Sequence, residues 1–172
     1  MNEADFLAVF SRLLSDGPLR DEFAQNPVQA VERLGVLACE LDALASLSPG
    51  DLEFQAQVLL RKRFDAARRL IPLTCARLGG RAWPLFHGCA RERPLGEDVT
   101  DAHAFCEFLQ TQMPAAVARS ELNRLQFAPG QKRLAMHFVC DLQIKDRVRC
   151  GLQLFVRVHR SAWREHVIYL GL

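Results

Sequence analysis

After Ala128-Pro129-Gly130 the apolar residues stop recurring every three or four positions and begin to recur every second one. A helix repeats at 3.6 residues and a strand at 2, so no single element type can satisfy both halves of this chain. In the second half, Leu134, Met136 and Phe138 alternate with Arg133, Ala135 and His137. The strongest strand signal runs from Arg149 to His159. Its even positions are Cys150, Leu152, Leu154, Val156 and Val158; its odd positions are Arg149, Gly151, Gln153, Phe155, Arg157 and His159. One stripe is wholly apolar and the other largely polar, the pattern of an antiparallel strand with one buried face. HRSAWRE reads as a turn and HVIYLGL as a returning strand.

Before that switch the pattern is helical. Phe6, Leu7, Phe10, Leu13 and Leu14 share one helix face, which Asp16-Gly17-Pro18 ends. Asn26-Pro27 places a capping side chain ahead of a proline at the first helical position, and Gly35 sits where that helix should stop. Ser48, with Asp51 three residues on, opens a longer helix through LEFQAQVLLRKRFDAARRL that Pro72 ends or kinks. Gly79-Gly80 closes its continuation, a short helix follows from Trp83 to Ala90, and Asp101 can cap the helix carrying Phe105, Phe108 and Leu109. Val117, Leu122 and Leu125 suggest the last one. The expected fold class is therefore α+β: an N-terminal helical part, residues 1–127, followed by a small antiparallel β-sheet at the C-terminus, residues 128–172, packed on it.

Composition excludes more than it assigns. Apolar residues make up 49% and charged residues 24% of the 172, a globular balance that rules out a disordered or fibrous chain. No apolar run is long enough for a membrane helix, and MNEADFLAVF carries no basic stretch ahead of its apolar residues, so neither a membrane partner nor a secretory signal is expected. The six cysteines contain no C-x-x-C pair and read as reduced, packed thiols in the cytoplasm. The net charge of +2 hides a division: residues 1–60 carry three basic groups against ten acidic, and residues 61–172 carry nineteen against ten.

The chain shows no strong chemical motif. His87-Gly88-Cys89, His103-x-x-Cys106 and His137-x-x-Cys140 are its short His/Cys pairs. The last, on a strand, points to opposite faces, and a structural zinc site would need four ligands. No nucleophile elbow or phosphate loop occurs. We therefore expect no catalytic, cofactor-binding or metal-ligating residues. Arg61, Lys62, Arg63, Arg68 and Arg69 on one helix could track phosphates, which makes a nucleic-acid-binding protein the alternative function. The competing view is a solvated helix face paired with the acidic first helices.

A small terminal sheet has edges whose backbone groups can recruit an extended peptide. Arg147, Arg149, Arg157 and Arg160 on and around the main strand suit an acidic peptide or protein, while Phe155 and Trp163 are apolar where solvent is expected. The competing view is a twisted sheet with its other face covered by the helices.

Three stretches carry a resemblance: FLAVFSRLLSDGPLRDEFAQNPVQAVERLG, LLRKRFDAARRLIPLT and GLQLFVRVHRSAWREHVIYLGL. In order and texture, over most of the chain, they resemble the partner subunit of multinuclear non-haem iron enzymes that modify ribosomally made peptides, of the MbnC type in methanobactin biosynthesis or the TglI type. The resemblance implies a non-catalytic accessory chain in a heterodimer with a TIM-barrel iron enzyme. It further implies that the chain recruits the precursor peptide's leader by strand addition, and that the iron sits in the partner. In methanobactin biosynthesis the complex converts peptide cysteines to oxazolone and thioamide groups.

Overall fold

The computed structural model describes residues 6–36, 38–93, 96–144, 147–159 and 162–170. The helical elements come first: α1 (Phe6–Ser15), α2 (Gly17–Gln25), α3 (Pro27–Arg33), α4 (Ala38–Ala45), α5 (Pro49–Leu70), α6 (Pro72–Leu78), α7 (Ala82–Ala90), α8 (Asp98–Gln112) and α9 (Arg119–Phe127). Three strands follow: β1 (Leu134–Ile144), β2 (Arg147–His159) and β3 (Ala162–Tyr169). The α+β class expected from the sequence is the one observed.

Local signals place most helix ends. The Asp16 side chain accepts from the Leu19 N–H and the Asn26 side chain from the Gln29 N–H, satisfying donors that each first turn leaves unpaired. Ser48 does the same for the Asp51 N–H at the start of α5. Pro72, without an N–H, ends α5 and opens α6. Gly35 and Gly79 take φ of 70° and 55°, left-handed values at which a side chain is strained. One expectation fails: α8 starts at Asp98, and Asp101 lies buried in its first turn instead of capping it.

The chain packs as two compact units, Met1–Asp65 with Trp83–Gly96, and Ala66–Ala82 with Glu97–Leu172. The change of period near residue 128 thus marks where strands begin, while α8 and α9 belong to the same unit as the sheet. The first unit is built on Val9, Leu13, Phe23, Ala30, Val31, Leu44 and Leu52. Within it, buried Arg20 donates to the Leu13 and Leu14 carbonyls and to Glu53 at 3.0 Å. Burial alone would raise the Glu53 carboxyl, but Arg20 holds it below its ordinary range. Arg91 grips Asp21 with two nitrogens at 2.6 and 3.1 Å, which lowers that carboxyl as well.

In the second unit, two helices are capped by residues far away in sequence. Glu121, on α9, accepts from the Leu73 and Thr74 N–H groups at 2.6 and 2.9 Å and from the Thr74 hydroxyl at 2.7 Å, closing the start of α6. Asp141, on β1, accepts from the Arg119 and Ser120 N–H groups and closes the start of α9. A carboxylate at a helix N-terminus is favoured both by these bonds and by the helix dipole.

The sheet is antiparallel in the order β1-β2-β3. β1 runs on through a register shift after Val139 and ends at Ile144, beyond the alternation seen in the sequence. β3 starts at Ala162, inside the stretch expected to be a turn, because Trp163 pairs with Arg157 and Glu165 with Phe155.

Candidate partner-binding surface

The alternation in β2 fixes which residues share a face, but not which face turns inward. α9 decides that. Phe155 is fully buried, with its ring stacked 5.0 Å from Phe127 of α9 and flanked by Trp163 at 5.7 Å and His137 at 6.1 Å. Arg157 lies over the Phe127 ring at 5.2 Å and donates to the Phe127 and Ala128 carbonyls at 2.9 and 3.1 Å. Gln153 is fully buried, yet its amide is paired throughout: it donates to the Ser120 carbonyl at 3.0 Å and to Glu165 at 2.8 Å, and accepts from Asn123 at 3.3 Å. Glu165 in turn takes Arg124 at 2.8 Å. The stripe that read as polar is the inner one, and it is buried because its polar groups satisfy one another.

The apolar stripe therefore faces outward, reversing the expectation from alternation. Leu134, Met136 and Phe138 of β1 stand 61–63% exposed, and Ile168 of β3 54%. Leu152, Leu154 and Val156 of β2, only half-buried, lie between them, paired to Phe138, Met136 and Leu134 on one side. On the other side they pair with Ile168, His166 and Arg164. This is an open face three strands wide, apolar over β1 and β2 and basic along part of β3. Both outer strands also lack a partner on one edge among the described residues.

The nominated residues thus scatter. Phe155, Arg157 and Trp163 belong to the covered face, where helix contacts occupy them. Phe155 is not the solvent-facing apolar group that the alternation suggested. Arg147 and Arg149 are exposed on β2 next to its hairpin, and Arg160 lies outside the described residues. Trp163 remains half-exposed and walls a cleft of about 480 Å³ with Val99, Thr100, His103, Ala128 and Pro129. A second, more polar cleft of about 920 Å³ is lined by residues 128–131 with Arg133, Arg157, Val158 and His159. The sequence did contain the signal for the open face, in its even-numbered stripes; only the sign was missing.

The thiols also differ from expectation. Cys140 and Cys150 are joined as a disulfide at the register shift between β1 and β2, so not all six are reduced. Cys75, Cys89 and Cys106 are free and buried. Burial, reinforced by Glu121, pushes the Cys75 thiol up to about 11 and the Cys106 thiol up to about 12. A thiol held that high is protonated at neutral pH and is a poor nucleophile. Among the described residues no group of three or more His, Cys, Asp or Glu converges as a metal site would require, and no helix is long and apolar enough to cross a membrane.

The basic run on α5 is partly committed within its own unit. The Arg61 guanidinium sits 4.8 Å over Trp83 and 5.6 Å over Phe64, and Arg63 is buried, donating to the Arg93 carbonyl at 3.4 Å. Lys62, Arg68 and Arg69 are exposed.

Residues 45–111 match the family described as SCO6045-like, C-terminal domain. The match runs from the end of α4 to near the end of α8 and stops before the sheet. No curated protein and no solved structure matches the chain.

Proposed function

We propose that this chain is a non-catalytic subunit that works by presenting its C-terminal sheet to other molecules. The observation that carries the reading is the three-stranded sheet whose β1 and β3 edges both end without a partner strand among the described residues. Such an edge accepts an extended peptide through backbone hydrogen bonds. Its basic surroundings, with Arg147, Arg149 and Arg164 exposed, suit an acidic segment. In its finer form, resting on the family resemblance, the partner is a TIM-barrel multinuclear iron enzyme in a heterodimer. The bound segment is then the leader of a ribosomally made precursor whose cysteines the enzyme modifies, in the cytoplasm. Burial holds the Cys75 and Cys106 thiols protonated, so this reading assigns neither of them a nucleophilic role.

Co-expression of the chain with a TIM-barrel multinuclear iron enzyme and a Cys-bearing precursor peptide of the kind the resemblance implies, both taken from the same genome, tests this. The expected result is a stable complex from which loss of this chain abolishes leader binding and modification. A chain that purifies alone and leaves both untouched overturns the reading. The nucleic-acid alternative has less support, because Arg61 and Arg63 of its proposed basic track are engaged within the fold.

A further inference from the structure

The open face of the sheet is a separate feature from its edges. A sheet whose two faces both carry large apolar side chains is built as a middle layer, with another layer on each side. Here α9 supplies one layer, and Leu134, Met136, Phe138, Leu152, Leu154 and Ile168 face outward where the other would lie. A contiguous apolar face of this kind marks an interaction site. Three features narrow what covers it.

The first is charge. From residue 130 onward the chain has eight Lys or Arg against three Asp or Glu. Of those three, Asp141 caps α9 and Glu165 pairs with Arg124 and Gln153 beneath the sheet; Asp146 lies outside the described residues. Arg164 and His166 stand on the open face itself, at the β3 side, and are exposed. A second copy laid face to face would bring basic groups against basic groups with no carboxylate on this face among the described residues to offset them, whereas carboxylates flanking an apolar stripe complement it. The second is size. Strands spaced about 4.8 Å apart put β1 and β3 roughly 10 Å from each other, which matches the width of one helix of about 10–12 Å diameter. The third is the pair of strand edges. Sinking this face into a bilayer would carry the unpaired backbone groups of β1 and β3 toward hydrocarbon, where each costs several kcal/mol. A helix laid along the middle leaves both edges in water.

We propose that the open face seats an amphipathic helix of a partner protein, its apolar stripe against Met136, Phe138, Leu152 and Leu154 and its flanking Asp or Glu side chains against Arg164 and His166. This rests on the reading of the sheet as a docking element and adds a second, face-on contact to the edge contact proposed there.

The test needs no knowledge of the natural partner. A fluorescein-labelled synthetic helix of about 18 residues, or five turns, with a leucine stripe flanked by Glu, is titrated into the full chain and followed by anisotropy. A Lys-for-Glu counterpart and phosphatidylglycerol vesicles are run alongside. The acidic helix is expected to bind at least about tenfold more tightly than the basic one, with an advantage that shrinks as salt is raised. Phe138→Glu is expected to abolish binding, and Arg164→Glu to erase the preference for the acidic helix, with circular dichroism and thermal unfolding of both variants unchanged. Equal binding of the two helices overturns the proposal, and so does absence of binding. Self-association relieved by Phe138→Glu assigns the face to a second copy and also overturns it, as does vesicle binding without helix binding. Because leader capture is read in the co-expression experiment, a failed helix titration beside an intact leader complex removes only the face contact, and the converse removes only the edge reading.

Discussion

The two faces of the C-terminal sheet are built on one alternating pattern and reach opposite outcomes. On the inner face, around Phe155, sit Gln153, Arg157 and Glu165, polar groups that hydropathy alone would send to solvent. On the outer face sit Leu, Met, Phe and Ile side chains that hydropathy would bury. The inner face is covered because each of its polar groups finds a partner on α9 or the neighbouring strand, and a satisfied polar group costs little to bury. The outer face stays open because nothing among the described residues lies on it. Polarity predicts burial only when partners are ignored. A polar residue with a complete hydrogen-bond set competes with leucine for the interior, and the surplus leucine is left for a partner.

The sharpest way to break this comparison is to truncate an aromatic on each side. Phe155→Ala removes a ring held between Phe127, Trp163 and His137. It is expected to cost about 3–5 kcal/mol in chemical unfolding, as large-to-small changes in packed cores do. A loss below about 1 kcal/mol would mean that the inner face is not a core.

Gln153→Ala tests the polar half of the same argument. It leaves the buried Asn123 amide without its Gln153 partner and removes one of two bonds to the Glu165 oxygen that Arg124 also reaches, so we expect a loss of about 1–3 kcal/mol from urea unfolding. Gln153→Leu separates the contributions. If satisfaction is what makes burial of this position cheap, Leu gains apolar burial but leaves the same partners unpaired, and it should recover only part of that loss. Full recovery would show that the network contributes nothing. Asp141→Ala is expected to cost about 1 kcal/mol by uncapping α9, with lower helical content as its sign in circular dichroism.

These substitutions also show what a linear reading can reach. Asn26 and Ser48 cap helices that begin right beside them, so those starts were legible, whereas Asp16 read only as the end of the first helix and also caps the second. Asp141 and Glu121 cap helices 22 and 48 residues away, and no local pattern connects such pairs. The period of β2 was legible because it is a property of consecutive residues. Its sign was not, since that depends on Ser120, Asn123, Arg124 and Phe127 meeting it from α9. The same cause misplaced Phe155 at an interface, hid Leu134, Met136 and Phe138 as candidates, and set the start of β3 too late, where pairing across to Arg157 extends the strand. Cys140 and Cys150 looked like any other pair of thiols until the register of β1 against β2 placed them opposite each other.

Phe138→Ser carries the smallest expected effect on stability and the most information about the outer face. A residue that is 61% exposed in the isolated chain has little burial to lose, so unfolding should shift by no more than about 0.5 kcal/mol in either direction. Its Phe155 counterpart, on the opposite face of the adjacent strand, shifts several times as much, and the ratio of the two measures how one-sided the sheet is. Binding of a hydrophobic dye to the native chain should fall in Phe138→Ser while the denaturant dependence of unfolding stays the same, since the ring is removed from the surface and not from the core. If Phe138→Ser instead unfolds the chain as readily as Phe155→Ala, the outer stripe is already covered in the folded molecule. The two faces would then be equivalent, and no surplus apolar surface would remain for a partner to claim.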